Sequence, residues 1–249
     1  MAAGEVPIEV KAGVRQAAFF DLEKTLTAHA AEQECALLLA RRRELPVASL
    51  LRVLGIYLKY NLGLIGDFDQ MKRFGAKIFT GRRPDRDLQL VEGLFQERLH
   101  RSIYPEAHGL VRRFLELGVP VYIVSATYRF IVAPYARHLG VREFYGCDLE
   151  SVDGVCTGNI VGTIYHQEHK AAVVREIAAR DGLSLQDCWA FGDSVNDLPM
   201  LEQVGHPVAV NPGGRLRQVA RTRGWQIVRW RANGGERPAP GPGVGAPPP

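Results

Sequence analysis

Residues 188–201 read Cys-Trp-Ala-Phe-Gly-Asp-Ser-Val-Asn-Asp-Leu-Pro-Met-Leu. The first four form an apolar run of strand length with no polar alternation. That is the pattern of a strand covered on both faces. The run stops at Gly192 and Asp193, and Leu198–Val204 then reads as a short helix. Working outward, the helical pattern Lys170–Arg180 precedes this strand. Two more short apolar runs follow it, Val208–Val210 and Trp225–Val228. Towards the N-terminus, Val119–Val124 follows the helical pattern His108–Leu117 and the stop signal Gly118, and Gln16–Phe20 is an apolar run ending at an acid. Short strands spaced by helices predict an α/β protein with a parallel sheet covered on both sides.

Two features depart from simple alternation. The interval from residue 21 to residue 118 is far longer than a crossover needs and is mostly helical in pattern. It predicts a helical module, residues 27–103, inserted after the first strand. Tyr145–Ile164 alternates about Asp153-Gly154, a β-hairpin signal. The expected organisation is a flexible N-terminus over 1–14, a core of 15–26 and 104–231, the inserted helical module 27–103, and a disordered tail over 232–249. The tail, ANGGERPAPGPGVGAPPP, is dominated by Pro and Gly with no recurring apolar position. No internal repeat is visible.

Composition excludes several classes. The chain has 249 residues, 46% hydrophobic and 23% charged, which are globular values and not those of a disordered or collagen-like protein. Cys35, Cys147, Cys156 and Cys188 are scattered without a C-x-x-C or a flanking His cluster. They argue against zinc and disulfide frameworks and read as reduced thiols of a cytoplasmic protein. The first sixteen residues carry acids and lack the apolar stretch of a signal peptide.

The net charge of +4 is mild. Its densest basic run, Arg41–Arg43, reads as a solvated helix face. Nucleic acid and anionic lipid are the alternatives, and the absence of interleaved aromatics argues against nucleic acid as a partner. Residues 50–66, LLRVLGIYLKYNLGLIG, contain Arg52 and Lys59. Inserting those two near a bilayer centre costs about 5–7 kcal/mol against roughly 4–5 returned by the aliphatic residues, so no transmembrane segment is expected. On a helical wheel Arg52, Lys59, Gly55 and Gly63 share one face. Leu50, Val53, Leu54, Tyr57, Leu58 and Leu64 share the other. The expectation is that this apolar face packs inside the protein, the alternative being a membrane surface.

Ligands of open α/β sheets bind at the carboxyl ends of the strands. After the first strand stands Asp21-Leu22-Glu23-Lys24-Thr25, after the second Ser125-Ala126-Thr127, and after the third Gly192-Asp193-Ser194-Val195-Asn196-Asp197; Lys170 opens a helix. This set meets the needs of phosphoryl transfer. A carboxylate can act as nucleophile. Hard oxygen ligands suit Mg²⁺. A hydroxyl and a lysine can bind phosphoryl oxygens, and a second carboxylate can move the proton of the leaving group.

Four segments, AAFFDLEKTL (17–26), VYIVSAT (121–127), His169-Lys170 opening a helix, and WAFGDSVNDLPML (189–201), resemble the haloacid dehalogenase superfamily. The likeness is to its phosphatase branch, subfamily IB, near the phosphoserine phosphatases, and it spans about residues 16–230. The resemblance implies a Rossmann-like core with a helical cap and a Mg²⁺-dependent phosphatase working through an aspartyl-phosphate. It implies Asp21 as nucleophile and metal ligand, and Glu23 as acid/base and, through its carbonyl, metal ligand. Thr25 would fix the first loop. Ser125, the backbone at Ala126, Lys170 and Asn196 would hold the phosphate. Asp193 would bind the metal, with Asp197 binding through water or anchoring Lys170.

Two positions depart from the family. Position 23 is Glu where Asp is usual. Nine residues after the nucleophile stands Ala30, where phosphoserine phosphatases carry a Glu for the substrate's amino group; Glu32 and Glu34 are off register. The expected partner is therefore a small phosphorylated substrate, lipid-like molecules included, and phosphoserine is disfavoured. The alternatives are a catalytically weakened relative acting as a binding or regulatory module and a phosphotransferase on the same core. Oligomeric state is not readable.

Overall fold

A computed structural model describes residues 6–45, 47–61 and 67–232. In chain order the elements are β1 (Ala18–Phe20), α1 (Ala31–Arg41), α2 (Val47–Asn61), α3 (Phe68–Ala76), α4 (Pro84–Glu97) and α5 (Pro105–Glu116). Then come β2 (Val121–Tyr128), α6 (Arg129–His138), β3 (Glu143–Val152), β4 (Val155–Val161), α7 (Glu168–Asp181), β5 (Trp189–Gly192), α8 (Leu198–Leu201), β6 (His206–Val210), α9 (Gly214–Thr222) and β7 (Gln226–Val228). The strands form one sheet in the order β4-β3-β2-β1-β5-β6-β7, parallel throughout except for the antiparallel β3–β4 pair. This is the expected Rossmann-like architecture.

The apolar run of β1 is divided between the two faces. Ala18 and Phe20 join one core cluster with residues of α1, α4, α5 and α6. Ala17 and Phe19 join the other with α7, α8 and α9. A strand with helices on both sides has no solvated face, so it cannot alternate with polar residues. Phe20 stacks on Phe191 of β5, ring centroids 4.1 Å apart, and is fully buried. Removing such a ring from water contributes about 1.5–3 kcal/mol.

Between β1 and β2 the chain carries α1–α5, of which α1–α4 lie in the inserted stretch. It leaves past Thr27 and returns at Ile103, where the two residues form an antiparallel bridge. The hairpin turns at Asp153 and Gly154, both at positive φ (51° and 76°), as a tight two-residue turn requires.

Three readings differ from expectation. β2 runs on to Tyr128 where it was expected to stop at Val124. Its pairing with β3 shifts register between those two residues, so Ser125–Thr127 sit in an irregular stretch of strand and not in a loop. Residues 6–14 form no helix or strand, yet Val6 is buried in the core and Lys11 pairs with Asp187. On α2, Leu54 and Leu58 were expected to pack inward and instead face solvent with Leu51. The Pro/Gly segment lies, from residue 233 on, outside the described residues.

Candidate active site

β1 is flanked by β2 and β5, with Phe20 level with Ile123 on one side and Phe191 on the other. Asp21 and Asp193 therefore leave the sheet, and Ser125 begins the irregular stretch of β2, at one edge and within two residues of the same level. The strand order reverses direction about β1, which makes this edge the crevice where ligands of such sheets bind. The Asp21 N–H still donates to the Phe191 carbonyl at 3.0 Å, holding the residue to the sheet as its side chain enters the site.

Lys170, in the first turn of α7, is the hub. Its Nζ donates to Asp21 Oδ1 and to Asp197 Oδ1, each at 2.6 Å, and all three side chains are buried. Asp197 Oδ2 accepts from the backbone N–H groups of Asp193 and Ser194 at 3.1 Å each and from the Ser194 hydroxyl at 3.2 Å. Both oxygens of Asp197 are thus engaged in fixing the loop and anchoring Lys170. Gly192 permits this arrangement, because a Cβ at that position would lie 2.4 Å from the Cβ of Asp197.

Asp21, Asp193 and Asp197 each offer an oxygen within 4.8 Å of the others. Burial pushes the Asp21 carboxyl up, and Lys170 pulls it back. Burial also raises Asp193 well above the usual carboxylate range, reinforced by Asp197 and Asp21. Three crowded carboxylates face one bonded ammonium, Lys170, with Lys24 as a second cation acting on Asp193. A set of hard oxygens in that electrostatic condition fits a small dication such as Mg²⁺.

The first loop closes through Leu26 and Thr27 N–H bonds to the Leu22 carbonyl, at 2.9 and 3.1 Å. The Thr27 hydroxyl, not Thr25, adds bonds to the carbonyls of Leu22 and His29. Thr25 is fully buried and its hydroxyl has no hydrogen-bond partner among the described residues. Glu23 is half-buried and points to the inserted helices. Its Oε1 accepts from the Glu32 N–H at 3.0 Å, at the second position of α1. The residue before α1 is Ala30, which supplies no capping oxygen, so Glu23 takes that part from across the loop.

Ser125 is buried and accepts from the Thr127 N–H at 3.2 Å. The Ala126 carbonyl accepts from the Cys147 thiol at 3.1 Å. Asn196 lies in the short 3₁₀ turn Val195–Asp197, its N–H donating to Ser194 Oγ at 3.3 Å. Among the described residues the geometry brings Asp21, Lys170, Asp193 and Asp197 into one cluster. Thr25 on the first loop, Ser125 on the irregular stretch of β2 and Asn196 in its 3₁₀ turn stand around it, with no direct bond to it among the described residues.

Two neighbours lie outside the expected set of site residues. Lys72 on α3 is buried, paired with Glu32, with its Nζ 4.3 Å from the centre of the Tyr128 ring. His166 stacks on Phe68 at 3.9 Å, and burial and then Lys170 push its pKa down to about 4. Nothing in the local pattern marks Lys72, which looks like any helix-surface lysine. His166 stands four residues before Lys170 in the segment His166-Gln167-Glu168-His169, and that proximity was its only signal. All four cysteines are buried free thiols.

The haloacid dehalogenase-like hydrolase family matches residues 18–202. The phosphoserine phosphatase SerB1 of Mycobacterium tuberculosis is 36% identical over 230 residues, covering 90% of this chain and 73% of that protein. A Bordetella pertussis protein of unknown function superposes with a TM-score of 0.79 at 34% identity, over 86% of this chain and 98% of the other. A substrate-bound phosphoserine phosphatase shares the fold, with a TM-score of 0.65 at 20% identity over 92% of this chain and 95% of the other.

Proposed function

The chain belongs to the haloacid dehalogenase-like hydrolases and is a phosphatase of that family, and from that premise we propose a Mg²⁺-dependent hydrolysis of a phosphomonoester through an aspartyl-phosphate on Asp21. The observation that carries this reading is the buried Asp21–Lys170–Asp197 chain beside Asp193. A carboxylate raised by burial is a poor nucleophile unless a cation holds it ionised, and Lys170 bonds it directly.

Asp21 attacks phosphorus, the ester P–O bond breaks, and the leaving oxygen takes a proton from Glu23. Glu23 then removes a proton from water, which attacks the phosphorus of the acyl phosphate, releasing phosphate and restoring Asp21. The Ser125 hydroxyl, the backbone at Ala126, Lys170 and Asn196 hold the phosphoryl oxygens, with the buried Thr25 hydroxyl as a spare donor in the loop after Asp21. Asp197 acts by positioning Lys170. Asp21, Asp193 and the Glu23 carbonyl would hold Mg²⁺, with Asp197 beside them, and bound there it would offset phosphoryl charge in the transition state.

The division of labour follows the chain. A core of 15–26 and 104–231 carries the chemistry, and the inserted module 27–103 closes over the leaving group. Glu32 is taken up by Lys72, so it does not replace the amino-group anchor absent at Ala30. The cavity beside Glu32 is lined by Leu39, Leu45, Val53, Ile56, Met71 and Phe79. These features favour a small phosphorylated substrate with an apolar, lipid-like leaving group over phosphoserine.

The test is rapid-quench labelling with a phosphomonoester, in Mg²⁺. The wild type forms an acid-stable, base-labile phosphoenzyme, and Asp21→Asn forms none and loses turnover by at least about a thousandfold while keeping its melting temperature. Turnover retained in Asp21→Asn removes the residue from the mechanism. One observation favours the weakened-relative reading: Glu23 already spends one oxygen on capping α1. A wild type that forms no phosphoenzyme but still binds phosphate would establish it.

A further inference from the structure

Helix α2 is apolar on two sides. Val53 and Ile56 face inward and line the cavity beside Lys72. Leu51, Leu54 and Leu58 face outward and are 62%, 64% and 58% exposed. Their spacing of three and four residues puts them in one stripe along the helix. The helices packed on either side each add one exposed apolar side chain, Leu37 on α1 and Phe74 on α3. Single exposed leucines need no explanation, but a stripe of three in register does.

The charges beside the stripe say what covers it. Arg52 and Lys59, seven residues apart, form a cationic edge along one side of the leucines. Both are exposed, and neither has an ion-pair partner among the described residues. From Leu45 to Gly66 the chain holds no Asp or Glu. An isologous contact with a second copy would bring these cations against their own equivalents with no acid on the helix to receive them. No helix of the described residues is long and apolar enough to cross a membrane. A helix with an apolar stripe, a cationic flank and no acid matches the interface of an anionic bilayer, where the leucines enter the acyl boundary and the cations meet lipid phosphates.

We propose that the outer face of α2 docks this protein on anionic lipid surfaces through Leu51, Leu54 and Leu58, with Arg52 and Lys59 selecting negative charge. The inner face of the same helix lines the cavity that Glu32 and Lys72 also line, so docking places that cavity next to the bilayer.

The experiment is flotation of the full chain with phosphatidylcholine vesicles, with and without equimolar phosphatidylglycerol. The wild type should float with the anionic vesicles and not with phosphatidylcholine alone. Leu51→Asp/Leu54→Asp/Leu58→Asp should lower the partition coefficient roughly a hundredfold. Arg52→Glu/Lys59→Glu should lower it on the order of tenfold or more. All these side chains are exposed, so melting temperature and hydrolysis of a soluble phosphomonoester should not change. Two outcomes overturn the proposal. One is binding that the triple leucine variant keeps and that salt alone abolishes, which would be diffuse attraction of a basic protein. The other is a wild type that ignores both vesicles and elutes as a dimer that the triple variant dissociates, making the stripe a self-interface.

Discussion

Glu23 is one methylene longer than the aspartate its family usually places there, and its surroundings account for the extra length. The carboxylate spans from the end of β1 to the Glu32 N–H, capping a helix whose own cap position is Ala30. Glu23→Asp should therefore not improve the enzyme. The shorter arm cannot cap α1 and serve the leaving group together. We expect a turnover loss of roughly ten- to a hundredfold and a destabilisation of about 1 kcal/mol from the lost cap, read as kcat and melting temperature. A faster enzyme with an unchanged melting temperature would show that the bond to Glu32 has no weight. Gly192→Ala tests the next contact. Its methyl would fall 2.4 Å from Asp197 Cβ, so Asp197 must move and Lys170 lose its anchor. Activity should fall by more than tenfold, with destabilisation of about 1–3 kcal/mol. Wild-type kinetics in this variant would mean that the Asp197 anchor is dispensable.

Where α5 and α6 meet the turn after α4, three histidines gather. His138 at the end of α6 lies 5.7 Å from the His108 ring and 6.4 Å from the His100 ring. Burial, then His108, then His100, hold the pKa of His138 below the ordinary histidine value of 6.5. The folded protein therefore takes up this proton less readily than the unfolded chain does. Above about pH 6.5 both states are neutral at this residue and its contribution is complete. As the pH falls below 6.5 the unfolded chain is protonated first, and stability is lost until the folded pKa is passed. Melting temperature should drop between pH 7.5 and 5.5, and the drop should be shallower in His138→Gln. Parallel pH profiles for the two proteins would exclude the cluster as the source.

The balance of charge across the protein makes a further expectation. Its mild net positive charge coexists with a buried site in which three carboxylates face one bonded lysine. A dication that binds the folded site and not the unfolded chain stabilises by mass action, about 2.7 kcal/mol at a hundred times its dissociation constant. For a chain of this size that is a rise of roughly 5–10 °C in melting temperature. Thermal unfolding with and without Mg²⁺ should show such a rise in the wild type and little of it in Asp193→Ala. An equal rise in both proteins would place the cation elsewhere.

Most of the sheet was legible because the information is local. Cys188–Phe191, Val119–Val124 and Gln16–Phe20 are apolar runs too short for helices, each followed by a turn residue or an acid, and a strand buried on both faces can have no other pattern. The Asp153-Gly154 turn was legible for the same reason, since few dipeptides accept two positive φ angles. The gathering of Asp21, Asp193 and Asp197 was legible because strand ends in this architecture converge on one edge. What folding alone decided is long-range. The helical pattern of residues 50–66 shows that the helix has apolar sides but not which side has a neighbour. Only the packing of α2 between α1 and α3 turned Val53 and Ile56 inward and left Leu51, Leu54 and Leu58 outside. Lys72 is a surface lysine by every local criterion, and its burial depends on Glu32 and Tyr128, brought from 40 and 56 positions away in the chain. Side-chain periodicity is a property of a few turns of chain, whereas burial is a property of whatever the rest of the chain lays against it.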